Sequence, residues 1–181
     1  MLPIELSCHP STPTRIVRSV VASAQLVAHD LTLSFRLAGD FERIRIPRPT
    51  ESRVKVGLWE HTCFEAFVRR DGSTAYHEIN LSPSGEWAVF SFLRYREIVA
   101  LPEDLAPPII STTQQEKRLQ LEARIDLSRL AEEYRTAGLR LALAAVIEDV
   151  DGSLSYWAVQ HAPGKPDFHH ADAFALQIPG S

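Results

Sequence analysis

Residues 161–170 read His-Ala-Pro-Gly-Lys-Pro-Asp-Phe-His-His and bring three histidines, a lysine and an aspartate into one short segment. Histidine and aspartate serve in metal ligation and proton transfer, and lysine adds a positive charge. The spacing matches no ligand motif of the HExxH kind. His169 and His170, as neighbours on an extended chain, point to opposite faces. Three roles are open to the segment: a metal or catalytic site built from His161, Asp167, His169 and His170 with Glu65 or Glu78, one wall of a binding site, or a polar turn hydrogen-bonded to the body of the protein. Glu65 and Glu78 as the acid and base of a hydrolase is a further option, decided by a separation that sequence does not contain. Nucleophile elbows, phosphate loops and dinucleotide fingerprints are absent.

The two glutamates stand on strand-like segments. In Cys63-Phe-Glu-Ala-Phe-Val68, period-two alternation puts Glu65 on one face with Cys63 and Phe67. A carboxylate among apolar neighbours needs partners, or its pKa shifts so that it stays neutral. In Tyr76-His-Glu-Ile-Asn-Leu81, the side chains of Tyr76, Glu78 and Asn80 share one face, and His77, Ile79 and Leu81 share the other. Ordinary exposure would turn both glutamates to solvent; the alternative makes them acceptors in a ligand groove. Trp59, Trp87 and Trp157 are the three tryptophans. The bulk of the indole ring favours core packing for any one of them, and Trp59, next to glycine and polar residues, is the least core-like. An aromatic face beside carboxylates and amides suits a sugar, whose C–H groups stack while its hydroxyls bond the polar groups. Lys165 and Arg96, if they reach the same mouth, would select a sugar bearing carboxylate or phosphate.

The elements that must position these residues are mostly strands. Leu31–Leu37 and Leu119–Leu127 alternate cleanly, the second with Gln120, Glu122 and Arg124 facing water. Trp87–Phe92 is another strand, and Leu139–Ile147 and Leu154–Val159 flank a hairpin signal centred on Asp151-Gly152. Ala173–Ile178 reads as the final strand. One helix is predicted, Leu127–Thr136, capped by Asp126 or Ser128 and ended at Gly138. Residues 102–113, with Pro102, Pro107 and Pro108, read as loop. Many short strands, one short helix and Gly/Pro turns imply an all-β protein, an antiparallel two-sheet β-sandwich.

Composition narrows the function. The 181 residues, 45% hydrophobic, fit a single domain over 1–181 with a sizeable core. A net charge of −4 offers no basic footprint for nucleic acid. No stretch is long and apolar enough for a membrane span, and the N-terminus lacks the pattern of a signal peptide. Cys8 and Cys63 form neither a disulfide framework nor a CxxC ligand set, and Cys63 in its apolar run reads as a small buried thiol. The expectation is a cytoplasmic protein without a cofactor.

At this point the sequence resembles a known group. Leu58-Trp-Glu-His-Thr-Cys-Phe-Glu65, followed by Tyr76-His-Glu-Ile-Asn-Leu-Ser-Pro-Ser-Gly-Glu-Trp87, looks like the DOMON-like bacterial domains. Phe92-Leu-Arg-Tyr-Arg96 and Lys165-Pro-Asp-Phe-His169 add to the likeness. These domains are similar to family 9 carbohydrate-binding modules. The resemblance implies a two-sheet sandwich that binds a sugar or sugar conjugate without catalysis or, in other DOMON branches, haem. It also implies site residues. The modules place a tryptophan six residues before a ligand-bonding glutamate, as Trp59 stands to Glu65. They use a second tryptophan late in the chain, for which Trp157 is the nearest counterpart and Phe168 a rival. Haem-binding members use methionine and histidine as axial ligands, and the only methionine here is Met1.

Overall fold

The computed structural model describes residues 2–101 and 105–180. Among them are twelve strands: β1 (Ile4–Cys8), β2 (Val17–Val27), β3 (Asp30–Gly39), β4 (Cys63–Arg70), β5 (Tyr76–Leu81), β6 (Trp87–Arg94), β7 (Glu97–Val99), β8 (Ile109–Gln115), β9 (Arg118–Asp126), β10 (Leu139–Glu148), β11 (Leu154–Ala158) and β12 (Leu176–Ile178). Every pairing between them is antiparallel. One sheet runs β1-β2-β3-β9-β8 and the other β7-β6-β5-β4-β10-β11, with β12 beside β10. Strand β1 belongs to both: Ile4–Leu6 pair with β2, and Ser7 and Cys8 pair with β11. The result is the two-sheet antiparallel sandwich that the alternation implies.

Inward-facing residues fill the space between the sheets. Leu31, Leu33, Phe35 and Leu37 of β3 meet Phe64, Ala66 and Val68 of β4 and Ile79 and Leu81 of β5, all at most 1% exposed. The rings of Phe35 and Phe64 stack across the gap with centroids 5.0 Å apart. A second cluster lies on the outer face of the second sheet. There Phe67, Tyr76, Phe92, Ala142 and Ala144 are covered by Phe168 and Phe174 from the chain that follows β11.

Three expectations need correction. The predicted helix over 127–136 is instead two 3-10 turns, Leu127–Arg129 and Glu132–Arg135, separated by the extended Ala131. Asp126 does cap the first, its Oδ1 accepting from the Ser128 amide at 2.9 Å. The break lets Tyr134 reach the sheet, where its hydroxyl donates to the Val68 carbonyl at 2.9 Å and lies 2.8 Å from His77 Nδ1. Tertiary contacts thus override helical spacing. Within the segment read as loop, residues 109–113 belong to the edge strand β8, whose Ser, Thr and Gln side chains hide the apolar alternation; residues 102–104 lie outside the described residues. The last strand is shorter than expected, because Ala171–Ala173 form a 3-10 turn and only Leu176–Ile178 pair, with β10.

Removing a ring from the inter-sheet core tests this packing. Phe64→Ala should destabilise by about 3–5 kcal/mol in urea denaturation, whereas Lys165→Ala, on an exposed loop, should change stability by less than about 0.5 kcal/mol. A small loss at Phe64 would mean that the sheets do not close on that ring.

Candidate functional site: a cavity under the C-terminal segment

The register of β4 and β5 sets the site. Glu65 lies opposite Asn80 and Phe67 opposite Glu78, so the two glutamates are diagonal neighbours on the outer face of the sheet. Next along, Phe90 of β6 lies opposite Glu78 and Phe92 opposite Tyr76. On the other side Val146 of β10 lies opposite Tyr156 of β11. The segment from Pro166 to His169 crosses above these strands, and a cavity of about 330 Å³ remains beneath it. Glu65, Glu78, Phe90 and Phe92 line it from the sheet, joined by Val146 and Tyr156. Arg96 and Ile98 close one side, Pro166 to His169 form the roof, and Trp59 stands at the rim.

Local structure explains why Trp59 faces outward. Gly57, with a left-handed φ of 82°, starts the 3-10 turn Leu58–Glu60. Leu58 is buried against Cys63 and Ala88, and the next side chain, Trp59, is left 38% exposed, packed edge-on against Phe90 at 5.7 Å.

The roof is tied down by polar contacts. Asp167 takes hydrogen bonds from Arg96 Nη2 at 3.0 Å and from the Tyr95 hydroxyl at 2.8 Å. Partial desolvation pushes the Asp167 pKa up, but these donors outweigh it and hold the carboxyl below its ordinary range. Arg96 sits in the β6–β7 turn with φ 55°, a strained conformation for a residue with a side chain, and its amide donates to the Tyr76 hydroxyl at 3.1 Å. That hydroxyl also lies 2.8 Å from His169 Nδ1, and His169 Nε2 lies 3.5 Å from Glu78 Oε2. With the tyrosine hydrogen turned to Nδ1, the imidazole keeps its own hydrogen on Nε2, facing the carboxylate.

The acids at the cavity floor are far from their solution behaviour. Glu65 is 3% exposed and Glu78 6%. Burial drives the Glu65 pKa well above the carboxylate range, the nearby Glu78 adds to this, and Arg96 only partly opposes it. Burial also raises Glu78, against the Asn80 hydrogen bond and Arg96. Asn80 Nδ2 donates to Glu78 Oε1 at 2.8 Å, while Glu65 Oε1 and Asn80 Oδ1 are buried without a hydrogen-bond partner. His169 is held neutral, its pKa lowered to about 4 by burial and then by Arg96.

Of the residues singled out in the sequence, the structure brings Trp59, Glu65, Glu78, Arg96, Asp167, Phe168 and His169 to this cavity. Tyr76 and Asn80 lie on the same sheet face but act behind the wall, Tyr76 on His169 and Asn80 on Glu78. Trp157 is a different case: it packs between the sheets, its Nε1 donating to Ser155 Oγ at 3.0 Å, because strand alternation turns Tyr156 and not Trp157 toward the cavity. Lys165 is exposed and outside the lining. The remaining histidines of the segment are tied elsewhere: His161 Nε2 donates to the Ser7 carbonyl, and His170 Nδ1 accepts from the Asp172 amide. The sequence reading missed Phe90, Phe92, Ile98, Val146, Tyr156 and Pro166 as lining. Alternation separates Phe90 and Phe92 from Trp87 and Val89, so the signal for those two was present; the register that seats them beside Glu78 was not.

The fold defines a class, the two-sheet antiparallel β-sandwich, here with an open cavity on the outer face of one sheet. Among solved structures the chain is similar to a candidate carbohydrate-binding protein from Bacteroides uniformis, with a TM-score of 0.65, 13% identity, and coverage of 95% of this chain and 82% of that one. It is similar as well to a family 9 carbohydrate-binding module from Caldicellulosiruptor kristjanssonii in complex with cellotriose (TM-score 0.57, 10% identity, 89% and 75% covered). A structure of such a module from the same organism, in complex with glucose, gives 0.53, 10%, 89% and 76%. No family model and no curated protein matches the chain. No helix among the described residues is long and apolar enough to cross a membrane.

The buried acids and histidines generate opposing pH effects. A glutamate in the unfolded chain titrates near pH 4.3. Folded Glu65 and Glu78 keep their protons to higher pH, so above about 4.3 the folded state binds more protons and these groups lose stability as pH rises. Glu65→Gln should therefore match the wild type near pH 4 and exceed its stability near pH 8. Burial holds His77 and His169 at about 4, below the unfolded value near 6.5, so their contribution is lost as pH falls from about 6.5 to 4. Urea denaturation at pH 4, 6 and 8 reads both effects. A glutamine variant with no advantage at pH 8 would show that Glu65 is ionised and well partnered.

Proposed function

We propose that the protein is a non-catalytic binding domain for a sugar or sugar-derived metabolite, held in the cavity between Trp59 and the Glu65–Glu78 floor. The observation that carries this reading is the pairing of an exposed indole at the rim with acceptor groups buried beneath it. Stacking on Trp59 and Phe90 supplies affinity that tolerates many ligands, and the acceptors choose among hydroxyl patterns. The solved neighbours in complex with cellotriose and glucose support a sugar as the ligand class. A volume of about 330 Å³ lies at the small end of ligand sites, which favours one or two sugar units over a polysaccharide chain. The motif run from Trp59 to Trp87 supports a DOMON-like relationship within this architecture. Cys8 and Cys63 are free thiols, in keeping with the cytoplasmic setting proposed for the chain.

The haem alternative has little support from this donor set. The histidine in the cavity wall is His169, and its two ring nitrogens face Tyr76 and Glu78. A hydrolase reading draws on the two raised carboxyls, one of which would have to act as acid. Turnover of a bound glycoside, abolished in Glu65→Gln or Glu78→Gln, would favour it.

The test is an NMR titration of hexoses, amino sugars, nucleotide sugars and cell-wall precursors against the wild type and Trp59→Ala. Binding in the micromolar to millimolar range is expected, weakened about tenfold or more by Trp59→Ala. Shifts that spare the Phe90 and Tyr156 region, or affinity indifferent to Trp59→Ala, would overturn the assignment of this cavity.

A further inference from the structure

The same cavity carries information on the charge of its ligand. Arg96 and Lys165 would select an anionic sugar if both reached the mouth of the cavity. In the structure Lys165 is exposed and outside the lining, and the Arg96 guanidinium is bound to Asp167 at 3.0 Å. What stands unmatched at the cavity floor is acceptor capacity. Glu65 is 97% buried by its 3% exposure and leaves Oε1 without a partner, and Asn80, directly across the strand pair, leaves Oδ1 without one. Glu78 receives one hydrogen bond from Asn80 and faces His169 at 3.5 Å. The titratable groups that act on Glu65 are Glu78, Arg96 and Cys63, and Asp167 and His169 share its cavity. With Arg96 paired to Asp167 and His169 neutral, they leave two acids without a cation of their own.

We propose that the floor of this cavity receives an ammonium group, so that the preferred ligand is an amino sugar and not a neutral or anionic one. This rests on the sugar-binding reading above. A hydroxyl offers one hydrogen, whereas an ammonium offers three and can meet Glu65 and Glu78, the two acids that line the cavity, together. Its charge also compensates carboxylates that burial otherwise disfavours. On binding, the O–H bond of the protonated carboxyl breaks, its proton passes to the solvent, and the resulting carboxylate accepts an N–H of the ligand.

Isothermal titration and NMR at pH 6.5 with glucose, glucosamine and N-acetylglucosamine test this, since an amine of this kind is still protonated there, as an α-amino group is with a pKa of about 7.7–8.0. The expected result is glucosamine binding at least tenfold tighter than the other two. Its binding heat should vary with the ionisation enthalpy of the buffer in the direction of proton release, and Glu65→Gln should abolish the preference. Glu78→Gln serves as a second variant should the first fail to fold, and the N-acetyl comparison needs no variant. Equal binding of glucose and glucosamine, or a preference that survives in folded Glu65→Gln, overturns the inference and leaves the sugar-binding reading standing. Failure of every sugar, neutral or amino, to bind overturns both.

Discussion

Alternate side chains of a pleated strand leave on opposite faces, so a strand buried at every position needs cover on both sides. Strand β5 is buried throughout, and β4 and β10 nearly so. The inner face of this sheet is covered by the other sheet, through Phe64 on Phe35 and their neighbours. Among the described residues, nothing of comparable size covers the outer face. That work falls to the chain beyond β11, whose Phe168 and Phe174 settle on Phe67 and Tyr76. The cover stops short over Glu65 and Glu78, and the uncovered part is the cavity.

Polar contacts then decide how firmly the cover is held. Phe168 supplies apolar area, but Asp167 fixes the segment to the β6–β7 turn through Arg96 and Tyr95. The same turn holds Arg96 at φ 55°, a strained backbone conformation that the Tyr76 hydroxyl supports through the Arg96 amide. Tyr76 in turn orients His169 above Glu78. Roof, turn and floor are thus linked by hydrogen bonds of few residues. This gives the cavity a defined shape without a deep hydrophobic anchor at its rim.

The chemistry of the floor follows from burial. Two carboxyls on one sheet face, away from water and with the nearest guanidinium already paired, favour their protonated forms. Such groups add no stability at neutral pH, and the structure keeps them at the floor of an open cavity. Buried, under-partnered polar groups in a site of this kind suit recognition better than packing.

Much of this was legible in the residues themselves. Alternation in Leu31–Leu37 and Leu119–Leu127, with the further short strands and Gly/Pro turns, is enough to imply a sandwich, because period two has a single structural meaning wherever one face is buried. The grouping of Glu65 with Phe67, and of Tyr76 with Glu78 and Asn80, follows from the same rule. The exposed character of Trp59 was readable from its glycine and polar neighbours. Period two says which residues share a face, but not which face meets the other sheet or which strand lies alongside. For that reason Trp157 could pass for a ligand clamp until the β10–β11 register sent it inward and turned Tyr156 out. Helical spacing in 127–136 likewise yielded to the pull of Tyr134 on Val68 and His77. Above all, the pairing of Arg96 with Asp167, 71 residues apart, makes the site acidic and acceptor-rich, and no local pattern encodes it. The sequence by itself determined the strands and the residue types on each face, since these depend on neighbours along the chain. The cavity and its charge were decided only by the tertiary structure, since they depend on which distant side chains neutralise one another.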